Sequence, residues 1–595
     1  MQDTGDTGFP EWEYWLTTLP AREVLLSRGN TADGYPRALT PLTQDLIITF
    51  EDRGVRQFLE QNLKAQRPKD APMPYFISLW GYLYANADQH AALGEAMPGN
   101  SRRATYQRYM GLEPDPSSDP PSLSVCQRIF RLPGRAAVVV RMAREALRIR
   151  RRIESEIAHI RALRRQPDKL GLPEALGWVN DLEAITPDAW ETLIIGAGIA
   201  GTMFGSTSRL IARATGRPQS DLVNRLHTGL GGNESAEMGM AVKRLANAAR
   251  SRPDLIAALR TSMAPEDLAT LQPNFMALVA DELERFGFHT APELELEQPT
   301  WRQDPAQLLS VVSRHLDSGQ GDESAPTDER KAAERELRSQ VPLAWRAAIE
   351  VALYASRWLM SSRENSKIPA VLIFDELRRV LEGVTPRFVA NGVLTTPNDV
   401  VLLRYEEFKT VLAGGNGPGT GPLVRRRNEL ERCRLLRLPE VAEAGPDGAR
   451  GLSASAITRR GMRLSVPPSE QRNVLRGVGA GSGRATGIVR ILEDPFDDFA
   501  PGDVLVARTV DPGWSAALSC AGAIVLDMGG VMSHGAMVAR ELGIPCVVGV
   551  RTATSILRPG GIVTVDGATG EITINDEPAV VGFQREESDD EHLPN

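Results

Sequence analysis

The spacing of apolar residues changes near Pro439, and no other feature of the 595-residue chain constrains its fold as strongly. Before this point apolar residues recur at helical spacing, as in GRAAVVVRMAREALRIRRRIESEIAHIRALRRQ from Gly134. After it come the short β-rich segments ATGIVRIL, DVLVARTV, GAIVLDM and CVVGV. GIVTVDGATGEITI then adds an Asp-Gly turn between alternating strands. The pattern predicts a multidomain chain, in which a large, mostly α-helical domain precedes a small α/β domain.

Composition along the chain sets the expected boundaries. We predict a mostly helical substrate-binding domain over 1–440, with an exposed loop near 317–336 where the chain is polar and poor in aromatic residues. Glycine, proline and serine without periodicity indicate a flexible linker over 441–472, which would span roughly 30 Å as a coil. The α/β domain follows over 473–582, and a disordered acidic tail over 583–595.

Bulk composition excludes several classes of protein. The net charge of −8 argues against a nucleic-acid partner. The four cysteines form no CxxC pair, which favours reduced thiols in the cytoplasm over a disulfide framework or a zinc site. The acidic N-terminus is unlike a signal peptide, and no apolar run is long enough to span a membrane. We therefore expect a cytoplasmic protein with no membrane partner and no metal site.

One glycine pattern, Gly196-x-Gly198-x-x-Gly201, matches a dinucleotide-binding fingerprint on paper. That fingerprint needs a strand before it and a helix after it within a βαβ unit. Here helical periodicity both precedes and follows the glycines. We predict a helix with small residues at a close helix contact.

A histidine motif, GGVMSHGAMVARELGIP at 529–545, has the features of a phosphoryl carrier. Gly529 and Gly530 permit a sharp turn close to a ligand, and Ser533 is a plausible N-cap. His534 would then start a helix, where the macrodipole favours an anion and a neutral, nucleophilic imidazole. Gly529, Gly530, Ser533 and Gly535 would support the phosphate loop. The alternative is a histidine that only caps or packs the loop.

The longer stretch GGVMSHGAMVARELGIPCVVG closely resembles the phosphohistidine (mobile, swivelling) domain of phosphoenolpyruvate-utilising enzymes. The likeness extends through LRGVGAGSGRATGIVRILEDP, GDVLVARTVDPGWSAAL and VTVDGATGEI. It implies that His534 is the residue that is phosphorylated, as the catalytic nucleophile.

The helical part resembles the substrate domain of rifampin phosphotransferases, in the order GNTADGYPRALTPLTQDL, LHTGLGGNESAEMGMAV, ERFGFHTAPELELEQPTWRQDP and GVLTTPNDVVLLRYEEF. In that family ATP phosphorylates the histidine with release of AMP and inorganic phosphate, and the swivelling domain carries the phosphoryl group to a substrate hydroxyl. The match begins almost at the N-terminus, without the family's ATP-grasp portion. The resemblance therefore implies ATP and Mg²⁺ on a separate ATP-grasp subunit, with no cofactor bound by this chain alone.

Four residues in the matched helical segments are candidates for the acceptor site. His289 is the best histidine for a general base, because that role needs a pKa near the working pH. Glu237 and Glu293 are acids in apolar surroundings, and Arg363 could neutralise the phosphoryl group. The alternatives are a buried ion pair between Glu237 and Arg363, and a core position for His289.

These observations predict the acceptor-binding and phosphohistidine-carrier component of an ATP-dependent phosphotransferase acting on a hydroxyl of a small molecule. A separate ATP-grasp protein would load His534. Two alternatives stay open: a non-catalytic binding or regulatory protein that retains the fold, and a carrier charged by phosphoenolpyruvate.

Overall fold

The structure is a computed structural model that describes residues 22–575, except residues 30, 64–74, 98–100, 108–111, 115–124, 218, 233, 318–324, 437, 447, 453–456, 458–461, 465–472 and 498. The predicted acidic tail at 583–595 lies outside the described residues. No described helix is both long enough and apolar enough to span a membrane.

Helices account for most of the described chain before Pro439, as the periodicity predicted. In chain order they are α1 Pro41–Phe58, α2 Ala87–Ala96, α3 Arg102–Thr105, α4 Val125–Leu163, α5 Leu172–Thr215, α6 Ser220–Leu226, α7 Glu234–Arg250, α8 Pro253–Arg260, α9 Pro265–Leu271, α10 Pro273–Phe286, α11 Pro305–Asp317, α12 Ala325–Gln340, α13 Leu343–Asn365, α14 Ile368–Ala390, α15 Tyr405–Leu412 and α16 Thr420–Arg434. A π-helical turn, Leu59–Leu63, extends α1.

Helix α5 is the centre of this part, and α1, α4, α13 and α14 pack around it. It contains Gly196, Gly198 and Gly201, so the prediction of a helix rather than a dinucleotide loop is confirmed. A Cβ on Gly196 would lie 2.3 Å from Ser366 Oγ, and one on Gly198 2.7 Å from Met97 Cε. The glycines therefore allow close packing, as expected.

An antiparallel five-stranded sheet also lies in this part, and the sequence did not predict it. Its strands are β1 Val24–Ser27, β2 Phe76–Leu79, β3 Tyr82–Asn86, β5 Val441–Gly445 and β6 Gly448–Gly451, in the order β2-β3-β1-β5-β6. The short strand β4, Leu112–Pro114, instead pairs with β7, Met462–Leu464.

The prediction of a flexible linker over 441–472 is therefore wrong for much of its described part. Strand β5 is buried along its whole length and supplies hydrogen bonds to the free edge of β1. Gly445 and Gly448 face each other across a hairpin turn. The glycines thus mark a turn between paired strands, which composition alone does not distinguish from a linker.

The exposed loop predicted near 317–336 is also wrong where the structure describes it, because α12 occupies Ala325–Gln340. Its polar sequence still places Ala333 and Leu337 one turn apart, and both are buried against the rest of the helical part. That short apolar stripe is enough to seat a helix whose other faces are polar.

The C-terminal strands are β8 Val474–Arg476, β9 Val478–Gly479, β10 Arg484–Ile491, β11 Val504–Ala507, β12 Ala523–Leu526, β13 Cys546–Val548, β14 Ile562–Asp566 and β15 Glu571–Ile574. Of these strands, β10 to β15 are those that the sequence predicted, whereas the short strands β8 and β9 were not predicted. The strands form one sheet in the order β8-β15-β14-β10-β11-β12-β13-β9, with β10 to β13 parallel. Among the described residues, the α-helices of this part are α17 Ser515–Leu518, α18 His534–Leu542 and α19 Ala553–Ile556, and a 3-10 helix, Pro512–Trp514, precedes α17.

Candidate active site at His534

The loop after β12 turns the chain and starts α18 at His534. Gly529 has φ +110°, a backbone conformation that glycine adopts without strain. Gly535 packs against the sheet, since a Cβ there would lie 2.6 Å from Leu526 Cδ1. Ser533 occupies the N-cap position as predicted, but its hydroxyl makes no capping hydrogen bond. The free N–H groups of this helix end are therefore left for another partner.

Asp33, from a turn in the helical part, is that partner. Its Oδ2 accepts a hydrogen bond from the backbone N–H of His534 at 3.1 Å, and its Oδ1 accepts one from Thr509 Oγ1 at 3.0 Å. Desolvation raises the pKa of Asp33 to about 7. A carboxylate thus occupies the helix N-terminus, where the sequence predicted that an anion would bind.

The imidazole of His534 is buried and held from both sides. Its Nδ1 lies 3.2 Å from Glu364 Oε2, and its Nε2 lies 3.0 Å from Ser515 Oγ. Burial lowers the pKa of His534, although Glu364 opposes the shift, so the ring is neutral at neutral pH. An ionised carboxylate only accepts hydrogen bonds, so Glu364 assigns the proton to Nδ1 and leaves a lone pair on Nε2.

Three charged side chains at the end of α13 and the start of α14 face this ring. Arg363 donates to Met532 O at 2.7 Å and to Glu364 Oε1 at 2.9 Å. Lys367 Nζ lies 3.7 Å from Glu364 Oε2 and makes no hydrogen bond among the described residues. Burial alone would raise the pKa of Glu364, but Lys367, His534 and Arg363 together hold it well below its usual range.

His289 lies behind this cluster. Its Nδ1 is 2.5 Å from Glu293 Oε1, and its Nε2 is 3.8 Å from Glu234 Oε1. Burial would lower the pKa of His289, but the two carboxylates raise it to about 9. The ring is therefore protonated at neutral pH, which does not favour the predicted role of general base. Glu293, unlike His289, lines the cavity described below.

Glu237 is remote from these groups. It pairs with Arg285 at 3.2 Å, and both side chains are largely exposed. The alternative of a buried ion pair between Glu237 and Arg363 is wrong, because Arg363 instead contacts Glu364 and the loop before α18. Nothing in the geometry brings Glu237 to the site.

The cluster opens into a cavity of about 340 Å³ between the two parts of the chain. Polar groups at His534 include Asp33, Glu293, Glu364 and Lys367. The other lining side chains are mostly apolar, and they include Val55, Phe58, Phe76, Leu93, Met97, Trp190, Leu193, Ile194, Leu294 and Val371. The cavity thus joins a neutral nucleophile to an apolar chamber large enough for a small organic molecule.

Sequence analysis missed three of the polar residues around His534. Glu364 and Lys367 follow Arg363 in SSRENSK. The signal available in the sequence was this run of charges, in which a carboxylate lies between two cations within five residues. Asp33 lies in a polar turn and carried no signal. It is 501 positions from the histidine that it contacts.

Comparison with known proteins agrees with this geometry. Residues 499–570 match the mobile domain of PEP-utilising enzymes, and residues 192–364 match the fourth domain of rifampicin phosphotransferase. The predicted resemblance to PEP-utilising and rifampicin phosphotransferase-like proteins is therefore confirmed. The first match contains His534, and the second contains Arg363 and Glu364.

Three relatives illustrate the likeness. An uncharacterised protein of Mycobacterium tuberculosis is 34% identical over 361 residues, 58% of this chain and 38% of that protein. The rifampicin phosphotransferase of Streptomyces sviceus is 30% identical over 362 residues, 58% of this chain and 40% of the relative. A prodigiosin synthesizing transferase of Serratia marcescens is 26% identical over 338 residues, 54% of this chain and 36% of the relative. The chain thus covers about two fifths of the length of these relatives.

Proposed function

We propose that this chain binds the acceptor and carries the phosphoryl group in an ATP-dependent phosphotransferase that phosphorylates a hydroxyl of a small molecule. The observation that carries the proposal is that a neutral His534 and Lys367 both line the polar end of a cavity that is otherwise mostly apolar. Lys367 Nζ is buried with no hydrogen bond to any described residue, so a phosphoryl oxygen would satisfy it.

The ring nitrogens would have different roles. Nε2 would carry the phosphoryl group, because Glu364 holds the proton on Nδ1. Glu364 would also stabilise the positive charge of the phosphorylated ring. Ser515 can release Nε2 without losing its own partner, since its hydroxyl also lies 2.8 Å from the Pro512 carbonyl oxygen. His534 would thus be the nucleophile when the carrier is loaded and the leaving group when the acceptor is phosphorylated.

Transfer to the acceptor would form one bond and break another. The acceptor oxygen attacks phosphorus, a P–O bond forms, the P–Nε2 bond breaks and the imidazole leaves in its neutral form. The hydroxyl proton passes to a carboxylate, and Asp33 suits this step because its pKa of about 7 lies near neutral pH. Lys367 and Arg363 would offset the negative charge on the phosphoryl oxygens.

Reversible docking of the two parts would let His534 move between donor and acceptor. Polar contacts hold them together at several points, including Glu541 Oε2 with Leu230 N at 2.9 Å and Arg551 Nε with Glu440 Oε2 at 3.0 Å. Such contacts exchange for water at small net cost. In the docked state His534 is only 6% exposed, which would protect a phosphohistidine from hydrolysis.

We further propose that a separate ATP-grasp protein, with ATP and Mg²⁺, loads His534. Glu364 and Glu293 beside His534 already pair with cations, and both Asp33 oxygens accept hydrogen bonds. No three His, Cys, Asp or Glu side chains in the described ranges are grouped to hold a metal ion. These residues therefore do not fit a Mg²⁺ site at the acceptor cavity. The likeness to rifampicin phosphotransferases supports ATP as the donor.

The test is to label the full chain with β- or γ-labelled ATP, with and without an ATP-grasp protein from the same source. We expect an acid-labile, alkali-stable label from the β-phosphate on the wild type. His534→Asn should lose this label, whereas His159→Asn, on the exposed face of α4, should keep it. A label that survives in His534→Asn would refute the assignment. No label from ATP, phosphoenolpyruvate or phosphoramidate would favour a binding protein instead.

A further inference from the structure

A second polar group lines the cavity, in its apolar part. Glu51, on α1, is only 6% exposed. Its Oε1 accepts a hydrogen bond from Tyr35 Oη at 2.9 Å. Its Oε2 is buried and makes no hydrogen bond of ordinary geometry with a described residue, although the indole N–H of Trp190 is near enough to lower the pKa of Glu51. An unsatisfied carboxylate oxygen is costly in such surroundings. A ligand bound in the cavity would supply a hydrogen-bond donor to this oxygen.

Glu51 also has no counter-charge among the described residues. Burial raises the pKa of Glu51 to about 7, and the influences that oppose this shift are two neutral donors, the hydroxyl of Tyr35 and the indole N–H of Trp190. Glu364 and Glu293, near His534, differ in this respect, since Lys367 lies within 4 Å of both. His90, which also lines the cavity, is no substitute for a cation, because burial lowers its pKa to about 4.

Aromatic rings form much of the wall that Glu51 shares. Tyr35, Phe58, Phe76 and Trp190 all line the same cavity. Ring faces attract organic cations, and a carboxylate beside them supplies the opposite charge. Together they are the surroundings that recognise an alkylammonium group, whereas a neutral alcohol would leave the charge of Glu51 unmatched.

The position of Glu51 relates it to the chemistry at His534. Tyr35 lies two residues after Asp33, so its side chain extends from the turn that caps α18 to Glu51. One molecule in the cavity can therefore face His534 with one end and Glu51 with the other. We propose that the acceptor is an amino alcohol with an apolar body, whose protonated amine binds Glu51 while its hydroxyl faces His534. This inference rests on the proposed function for the hydroxyl end alone.

The experiment compares isosteric pairs of probes by calorimetry. One member of each pair is a linear alkanol ending in a dimethylamino group, and the other ends in the neutral isopropyl group, over a range of chain lengths. At about pH 8 Glu51 is ionised, since its pKa is about 7. The amines are still protonated, with a pKa of about 10 like that of lysine. We expect the wild type to bind the best amino alcohol about tenfold more tightly than its isostere, which is about 1.4 kcal/mol.

The variants assign that preference to one carboxylate. Glu51→Gln should lose the preference and bind the neutral isostere as the wild type does. Glu237→Gln, a matched change outside the cavity, should keep the preference. The proposal is overturned if Glu51→Gln still prefers the amine, or if the wild type shows no preference at any chain length. Binding requires no phosphoryl transfer, so His534→Asn should also keep the preference, and failure of the labelling test would leave this result standing.

Discussion

Replacing Asp33 with asparagine should change how docking of the His534 helix depends on pH. Desolvation at the interface raises the pKa of Asp33 from 3.8 to about 7 in the docked state. A raised acid pKa means that the docked state holds the proton more tightly than the undocked state. Docking is therefore strongest at low pH and weakens as the pH rises from about 4 to about 7, where the dependence ends.

The size of the effect follows from the single proton involved. Each pH unit in that window should weaken docking by up to tenfold, or about 1.4 kcal/mol. The whole window sums to at most about 4 kcal/mol, and less in practice because Asp33 is only half-buried. Asparagine keeps an oxygen that accepts the hydrogen bond from the His534 N–H, but its side chain does not ionise in this pH range and so adds no pH dependence. Burial lowers the pKa of His534 and gives an opposite slope in both proteins, so their difference isolates Asp33.

Amide hydrogen exchange over residues 529–542, corrected for its intrinsic pH dependence, measures this equilibrium. The wild type should lose protection relative to Asp33→Asn as the pH rises from about 4 to about 7. Asp33→Ala cannot ionise either, so its profile should run parallel to that of Asp33→Asn but with less protection at every pH, by about 0.5–2 kcal/mol for a missing N-cap. Asp181→Ala, which removes a surface partner of Arg165, is the control and should follow the wild type. Parallel pH profiles for the wild type and Asp33→Asn would refute this account of the interface.

Three further predictions follow from the same structure. Gly54→Ala should lower the stability of the chain by about 1–3 kcal/mol, measured as Tm, because its Cβ would lie 2.3 Å from Trp190 Cβ; an unchanged Tm would contradict the packing of α1 on α5. His289 has its pKa raised to about 9, so its contribution to stability is complete below about pH 6.5 and is lost as the pH rises through about 9. Denaturant unfolding should show this decline in the wild type and not in His289→Gln, and matching profiles would contradict the ion pair. Lys367→Met should slow transfer of the phosphoryl group from His534, loaded with phosphoramidate, to the acceptor. The expected effect is about 10²–10³-fold, the usual cost of removing one donor that stabilises charge in a transition state, and an unchanged transfer rate would exclude Lys367 from the reaction.

Local sequence was sufficient for the helices and strands that have strong periodicity. The parallel strands β11 to β13 are continuous apolar segments. Asp566 ends β14 at the turn before β15, and its side chain accepts hydrogen bonds from the backbone N–H groups of Ala568 and Thr569. The glycines around α18 specify a turn and a close helix contact by their own geometry. These features depend on neighbours in the chain, which a sequence displays directly.

Contacts between distant segments could not be predicted in the same way. The composition of β5 resembles that of a linker. Its partner β1 lies more than four hundred positions earlier, and pairing rather than composition makes it a strand. Glu237 and Glu293 looked equivalent as acids in apolar surroundings. Only the packing of the helices placed Glu293 in the cavity and left Glu237 on the surface.

The sequence by itself determined which residue is the candidate nucleophile, because the glycine turn, the N-cap position and the helix that follows are all encoded within a few residues of His534. Tertiary structure alone decided what surrounds that ring. Burial lowers its pKa, Glu364 assigns its proton to Nδ1, and Asp33 occupies the anion position at the helix N-terminus. Each of these depends on electrostatic interactions over a few ångströms in space, between residues that are far apart in the chain.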